Sequence, residues 1–302
     1  MRILVVGSVA LDSVKTPFGE VQEALGGSAV YFSISASYFA PVSLVAVVGQ
    51  DFPQQHLGLL RARGVDLQGL HQSPGRTFRW HGSYGYDLNE ARTLRTELNV
   101  FEHFSPSLPG SLRGAQVVFL ANIDPELQRR VLQQTNSPRL VAADTMNYWI
   151  EHKPRELRET LRLVNILAIN EAEARELAQE ANLVRAARAI QAMGPQVVVI
   201  KRGEYGVLMF NSRSIFSAPA YPLEDIHDPT GAGDTFAGGF LGYLAKARDF
   251  SEASMRKALV MGSVMASFAV EGFSVAGIKG LSLKDIEARF QEFKALTHFE
   301  AL

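Results

Sequence analysis

Six short segments of this 302-residue chain are apolar at nearly every position: RILVVGS, SLVAVVG, AQVVFLA, RLVAAD, VNILAIN and QVVVIKRG. A strand with one wet face alternates apolar and polar residues, whereas an unbroken Val, Ile and Leu run reads as a strand covered on both faces. Strands of the second kind belong to parallel sheets sandwiched by helices. Helical patterns fill the gaps, at 28–39, 53–63, 125–134, 154–161, 171–179 and 183–193, and from 251 onward the chain is mainly helical. The expectation is an α/β architecture with right-handed crossovers.

One region breaks this rhythm. TFRWHGSYGYDLNEARTLRTELNVF, residues 77–101, alternates aromatic and polar residues and carries turn residues at 87–90, the pattern of a hairpin with one wet face. Together with a segment near the N-terminus it reads as a small β-flap on one domain spanning 1–302, with lid segments at about 13–24 and 75–103. No repeat or linker-like tract marks a second independent domain. A formal charge of −1 gives no reason to expect a nucleic-acid or anionic-membrane partner. No basic and apolar leader and no apolar run of about 18 residues is visible, so a soluble cytoplasmic protein is expected. The chain has no cysteine, which excludes disulfides, thiolate metal sites and a thiol nucleophile.

The stretch DPTGAGDTFAGGF, residues 228–240, carries the chemistry. Gly231, Ala232 and Gly233 set backbone N–H groups at a helix start with almost no side-chain bulk, so an anion can approach unpaired donors and the positive end of the helix dipole. Asp234 follows in the first turn, where a carboxylate beside a phosphoryl group can take the proton of an attacking hydroxyl. The plain alternative is a tight strand-to-helix turn with an acidic first turn. Gly26 and Gly27 precede another helix of small residues, and Asp12 follows the first strand in what reads as a loop at the carboxyl edge of the sheet, where open α/β sheets bind ligands.

The order VGSVALD, GGSAVYFSISAS, VAVVGQDFPQQHLGLLRARGVDLQGL, INEAEARELA, VVVIKRGEYGVLMF and DPTGAGDTFAGGF resembles the ribokinase-like, or PfkB, family of carbohydrate kinases over nearly the whole chain. The resemblance implies a three-layer α/β/α sandwich with a mainly parallel sheet and a β-strand lid, and transfer of the γ-phosphate of ATP, with Mg²⁺, to an alcohol of a sugar-like acceptor. It makes Asp234 the general base and Gly231, Ala232 and Gly233 the anion hole. It places Asp12, Gly26 and Gly27 on the acceptor's hydroxyls. Asn170, Lys201, Gly203, Gly206, Thr230, Gly231 and Gly233 fall on the nucleotide side, and Glu173 of the N-x-x-E element helps hold magnesium through water. Asn170 and Glu173 also read as a helix capping box, and both roles can coexist.

Departures from the pattern bear on the acceptor. Tyr31 stands where many sugar kinases of the family have Asn, which puts Tyr31 at the acceptor. DTMNYWI, residues 144–150, lacks the Arg found in members acting on acidic keto-sugars, so a carboxylate acceptor is not expected. Pro229 replaces a common Thr, which leaves a monovalent-cation site open. Phe78, Trp80, Tyr84 and Tyr86 of the flap either stack on a flat ligand or form the flap's own cross-strand core and a contact with a second subunit, a homodimer through the lid. Arg79 and Asn89 are further candidate acceptor contacts. Nucleoside kinase is the alternative within the family, and a binding protein that has lost the chemistry is the alternative outside enzymes. A dinucleotide fold lacks its G-x-G-x-x-G here, since GSVALD offers only Gly7, and no P-loop occurs.

Overall fold

The computed structural model describes residues 1–298 and 300. Its large sheet holds β1 (Ile3–Val6), β4 (Val42–Gly49), β5 (Asp66–Ser73), β8 (Val117–Leu120), β9 (Leu140–Ala143), β10 (Ile166–Asn170), β11 (Val197–Lys201), β12 (Val207–Phe210) and β13 (Ile215–Ala218). A second sheet holds β2 (Ala10–Thr16), β3 (Gly19–Gly26), β6 (Phe78–Tyr84) and β7 (Ala91–Glu97). The large sheet runs in the order β13-β12-β11-β10-β9-β8-β1-β4-β5, and only β12 and β13 are antiparallel to their neighbours.

The apolar runs sit where their composition requires. Ile3 and Val5 pack into one core and Leu4 and Val6 into another, because successive side chains point to opposite faces. On the first face lie α1 (Ser28–Ser37), α2 (Gln54–Ala62), α8 (Ala232–Ala247), α9 (Glu252–Ala269) and α10 (Leu283–Leu296). The rings of Phe32 in α1 and Phe119 in β8 stack there with centroids 4.4 Å apart. On the second face lie α3 (Pro125–Gln133), α4 (Asn147–His152), α5 (Pro154–Leu161), α6 (Glu171–Ala178) and α7 (Leu183–Ala192). This is the expected three-layer sandwich.

The small sheet is the lid, in the order β3-β2-β6-β7. β2 begins at Ala10, so the lid starts three residues before the expected segment and Asp12 lies on a strand rather than in a loop. The reason is pairing on both sides of β2: antiparallel to β3 and parallel to β6, with Asp12 opposite Ala24 and Trp80. β5 and the six-residue α4 are additional elements that the sequence reading left unassigned.

Candidate active site

The signature stretch forms a turn held by a buried carboxylate. Asp228 accepts from the amide of Thr230 at 2.9 Å and from the amide of Ser274 at 3.1 Å, pinning the turn to the loop after α9. Gly231 caps α8 with φ 75°, and the ring of Tyr31 lies where a β-carbon on Gly231 would project. Only glycine combines that backbone with that neighbour. The amide of Ala232 donates to the carbonyl of Pro229, so it is not a free donor. The amides of Gly231, Gly233 and Asp234 have no partner among the described residues and lie at the positive end of a 16-residue helix, where an anion would find free donors.

Asp234 is partly buried in the first turn of α8. Burial pushes its carboxyl up to about 7, with Asp144 raising it further and Lys201 opposing. A carboxylate that gains and loses its proton near neutral pH is suited to general-base work. Lys201, the last residue of β11, lies between the acids: its Nζ is 2.8 Å from Asp144 Oδ2, and a β-carbon on Gly233 would stand 3.1 Å from that same Nζ. Asn170 and Glu173 form the capping box at the start of α6, with Asn170 Oδ1 accepting from the Glu173 amide at 2.8 Å and Glu173 Oε2 from the Asn170 amide at 3.0 Å. Burial, then Asp144, lifts the Glu173 carboxyl to about 8. Asp144, Glu173 and Asp234 thus lie around one ammonium, and Asp144 adds to the rise of the other two. No three His, Cys, Asp or Glu groups converge on a single point among the described residues.

The lid turns one face to the main domain. Thr16 donates to the carbonyl of His227 at 2.8 Å, and the hydroxyls of Tyr84 and Thr230 lie 3.2 Å apart. Asp12 and Trp80 are register partners on that face. The Asp12 carboxylate occupies the space a β-carbon on Gly26 would take, which explains the glycine there, while Gly27 (φ 95°) caps α1. Asp12 is 5 % exposed, and its carboxyl is raised to about 7 by burial, against the stabilising Gly27 amide, with Asp228 and Asp234 adding to the rise. The outer edge of the Trp80 indole lies where a β-carbon on Gly82 would project, and its N–H donates to Thr93 Oγ1 at 3.2 Å. The Tyr31 hydroxyl is buried with no partner among the described residues, and burial followed by Asp12 and Asp228 keeps it protonated.

Two candidates do other work. Arg79 is only 5 % exposed and its guanidinium is committed to Asp51 at 2.8 Å, Glu23 at 2.7 Å and the Thr77 carbonyl, so it braces the lid base and does not reach an acceptor. Asn89, at the hairpin tip, packs on Gly203 and reaches Glu204 at 3.5 Å. The tip of the lid therefore rests on the turn containing Gly203 and Gly206. Phe78 stacks on Phe101, a structural use, and Tyr86 is 89 % exposed. Asp144 and Asp228 are site residues the sequence reading did not assign.

Residues 2–278 match the pfkB family of carbohydrate kinases. The chain belongs to that family. This pfkB kinase is 33% identical over 258 residues to a cytidine kinase of Thermococcus kodakarensis, an alignment covering 83% of this chain and 91% of that protein. Its fold superposes on the Burkholderia thailandensis nucleoside kinase in complex with inosine with a TM-score of 0.81 at 19% identity, covering 97% of this chain and 99% of the other. It superposes on an E. coli protein of ribokinase II type, solved with ATP and Mg²⁺, with a TM-score of 0.78 at 19% identity, covering 96% and 99%. The pfkB kinase is accordingly an enzyme that moves phosphate from a nucleotide to an alcohol group of a sugar or nucleoside.

Proposed function

We propose that the acceptor is a ribonucleoside, phosphorylated on a ribose hydroxyl by Mg-ATP. The observation that carries this reading is the Trp80 indole, packed on Gly82 and set opposite Asp12 on the face of the lid that looks into the site. A ribose alone needs hydroxyl partners, whereas a nucleobase adds a flat π-face that an indole is suited to stack upon. Similarity to a cytidine kinase supports the same choice.

In this reading Asp12 accepts from ribose hydroxyls, with Gly26 and Gly27 allowing close approach of the backbone. The unpartnered Tyr31 hydroxyl supplies one further contact, since a buried hydroxyl left unpaired is costly. The phosphates of ATP lie on the free amides of Gly231, Gly233 and Asp234, with Lys201, Thr230 and the Gly203 to Gly206 turn on the nucleotide side. Asn170 and Glu173 would hold magnesium through water, and the ion would draw charge off the phosphates. Asp234 takes the proton of the attacking hydroxyl as the new O–P bond forms. The bond from the γ-phosphorus to the β,γ-bridging oxygen breaks, and ADP leaves with that electron pair. The lid, with Tyr84 on Thr230 and Asn89 on Gly203, excludes water so that the acceptor rather than water attacks.

The exposed side chains of Leu94 and Leu98, together with the outer edge of β7, unpaired among the described residues, support dimerisation through the lid, which light scattering at micromolar concentration tests. The nucleoside reading is tested by titrating cytidine, inosine and ribose against the emission of Trp80 in a Trp149→Phe background. Quenching by nucleosides and none by ribose is expected. Equal responses to ribose and nucleosides, or none to any, would sink it.

A further inference from the structure

Lys201 is a candidate for more than holding nucleotide. Its Nζ is the atom nearest to where a side chain on Gly233 would project, beside the free amides of Gly233 and Asp234. An ammonium has three donors, and among the described residues only one is taken, by Asp144 Oδ2 at 2.8 Å. Asp144 is itself fixed. Its other oxygen accepts from the Thr145 amide at 2.8 Å, and its carbonyl accepts from Gln128 Nε2 at 3.1 Å. The side chains of Lys201 and Asp144 are 17% and 7% exposed. A pair so shielded contributes little net stability, because desolvation offsets the attraction. Its value lies in aiming a cation.

We infer that Lys201 is a catalytic residue of the transfer, its two free N–H groups contacting the phosphoryl group as it passes from ADP to the acceptor, and that Asp144 is the positioning residue that aims it. The inference rests on the phosphotransferase reading above. In such a transfer the negative charge spreads over the equatorial oxygens of the moving group. A cation already fixed at the anion hole stabilises that charge without reorganising. Lys201 also faces Asp234, whose other charged or polar neighbours are Asp144, Asp12 and the hydroxyl of Tyr31. It holds the base's affinity for protons down, and Asp144 holds it up.

The test uses Lys201→Met, Lys201→Arg and Asp144→Asn in the full chain. The first readout is calorimetric binding of Mg-ADP with and without aluminium fluoride, a mimic of the phosphoryl in flight that needs no acceptor turnover. Lys201→Met should weaken the fluoride complex by about 10²-fold, the scale of one preorganised donor, and Mg-ADP alone by far less, with Lys201→Arg in between. The second readout is the acid limb of kcat/KM: Lys201→Met should move it to higher pH and Asp144→Asn to lower pH. Equal loss of Mg-ADP and its fluoride complex, or an acid limb that does not move in opposite directions, would overturn the assignment and leave a purely structural ion pair. If wild type binds no Mg-ADP at all, the phosphotransferase reading fails as well, and Lys201 has no phosphoryl group to contact.

Discussion

Asp234→Asn should make the protein slower and, at alkaline pH, more stable. The folded carboxyl is raised from 3.8 to about 7, chiefly by burial, so folding disfavours its ionised form. The stabilisation associated with the protonated carboxyl is complete below pH 3.8, the unfolded value, and is lost as pH rises through about 7. At about 1.4 kcal/mol per pH unit, the loss is roughly 1.6 kcal/mol at pH 5 and about 4 kcal/mol at pH 8. Solvent reaches this carboxylate and screens part of the effect, so a pH 5 to pH 8 difference of about 1–2 kcal/mol is the working figure. Asparagine does not titrate. Its Tm advantage over wild type should therefore grow by about 2–5 °C between the two pH values. Relief of Asp12, which Asp234 also pushes upward, acts in the same direction. Turnover should fall by about 10²–10⁴, the contribution of a positioned general base. Thermal unfolding at both pH values and coupled ADP release read the two halves separately. A Tm difference independent of pH, or one that shrinks toward pH 8, would refute the electrostatic argument, and unchanged turnover would remove Asp234 from the chemistry.

Trp80→Ala should raise the KM for a nucleoside by about 10-fold or more, a stacking contribution of 1–3 kcal/mol, and leave the KM for ATP within twofold in steady-state kinetics. Wild-type kcat/KM should fall as pH drops below about 7, where Asp234 becomes protonated, a limb that pH-profile measurements read directly. Glu173→Gln should raise the Mg²⁺ concentration needed for half-maximal activity by several-fold, and unchanged magnesium dependence would relieve Glu173 of any metal role. Gly231→Ala drives a methyl into the Tyr31 ring at a positive φ and should cost about 2–4 kcal/mol of stability by denaturant unfolding.

The six central strands were legible because parallel strands buried on both faces must be apolar throughout. β5 was not, since DLQGLHQS is an edge strand whose pairing with β4 comes from a neighbour distant in sequence. Asp12 reads as a loop residue for a related reason: nothing in VGSVALD shows that a second sheet starts at Ala10, because its partners lie at residues 19–26 and 78–83. The glycine-rich turn and Asp234 in the first turn of α8 were local and therefore visible. The free amides differ by one from the sequence expectation because the Pro229 turn consumes that of Ala232. Asp144 escaped notice as a site residue because its meaning depends on strand order. It follows β9, and only the β9-β10-β11 arrangement brings its carboxylate to Lys201. Arg79 looked like a ligand contact until Asp51 and Glu23, each more than 25 residues away in sequence, filled its guanidinium.

The most direct test of the central claim is Mg-ATP-dependent ADP formation with cytidine, inosine, ribose and fructose as acceptors, with the product's phosphorus followed by ³¹P NMR. Nucleoside-dependent ADP release, together with a new phosphomonoester resonance that Asp234→Asn abolishes, is the result expected. Transfer to ribose or fructose with none to either nucleoside would contradict the account.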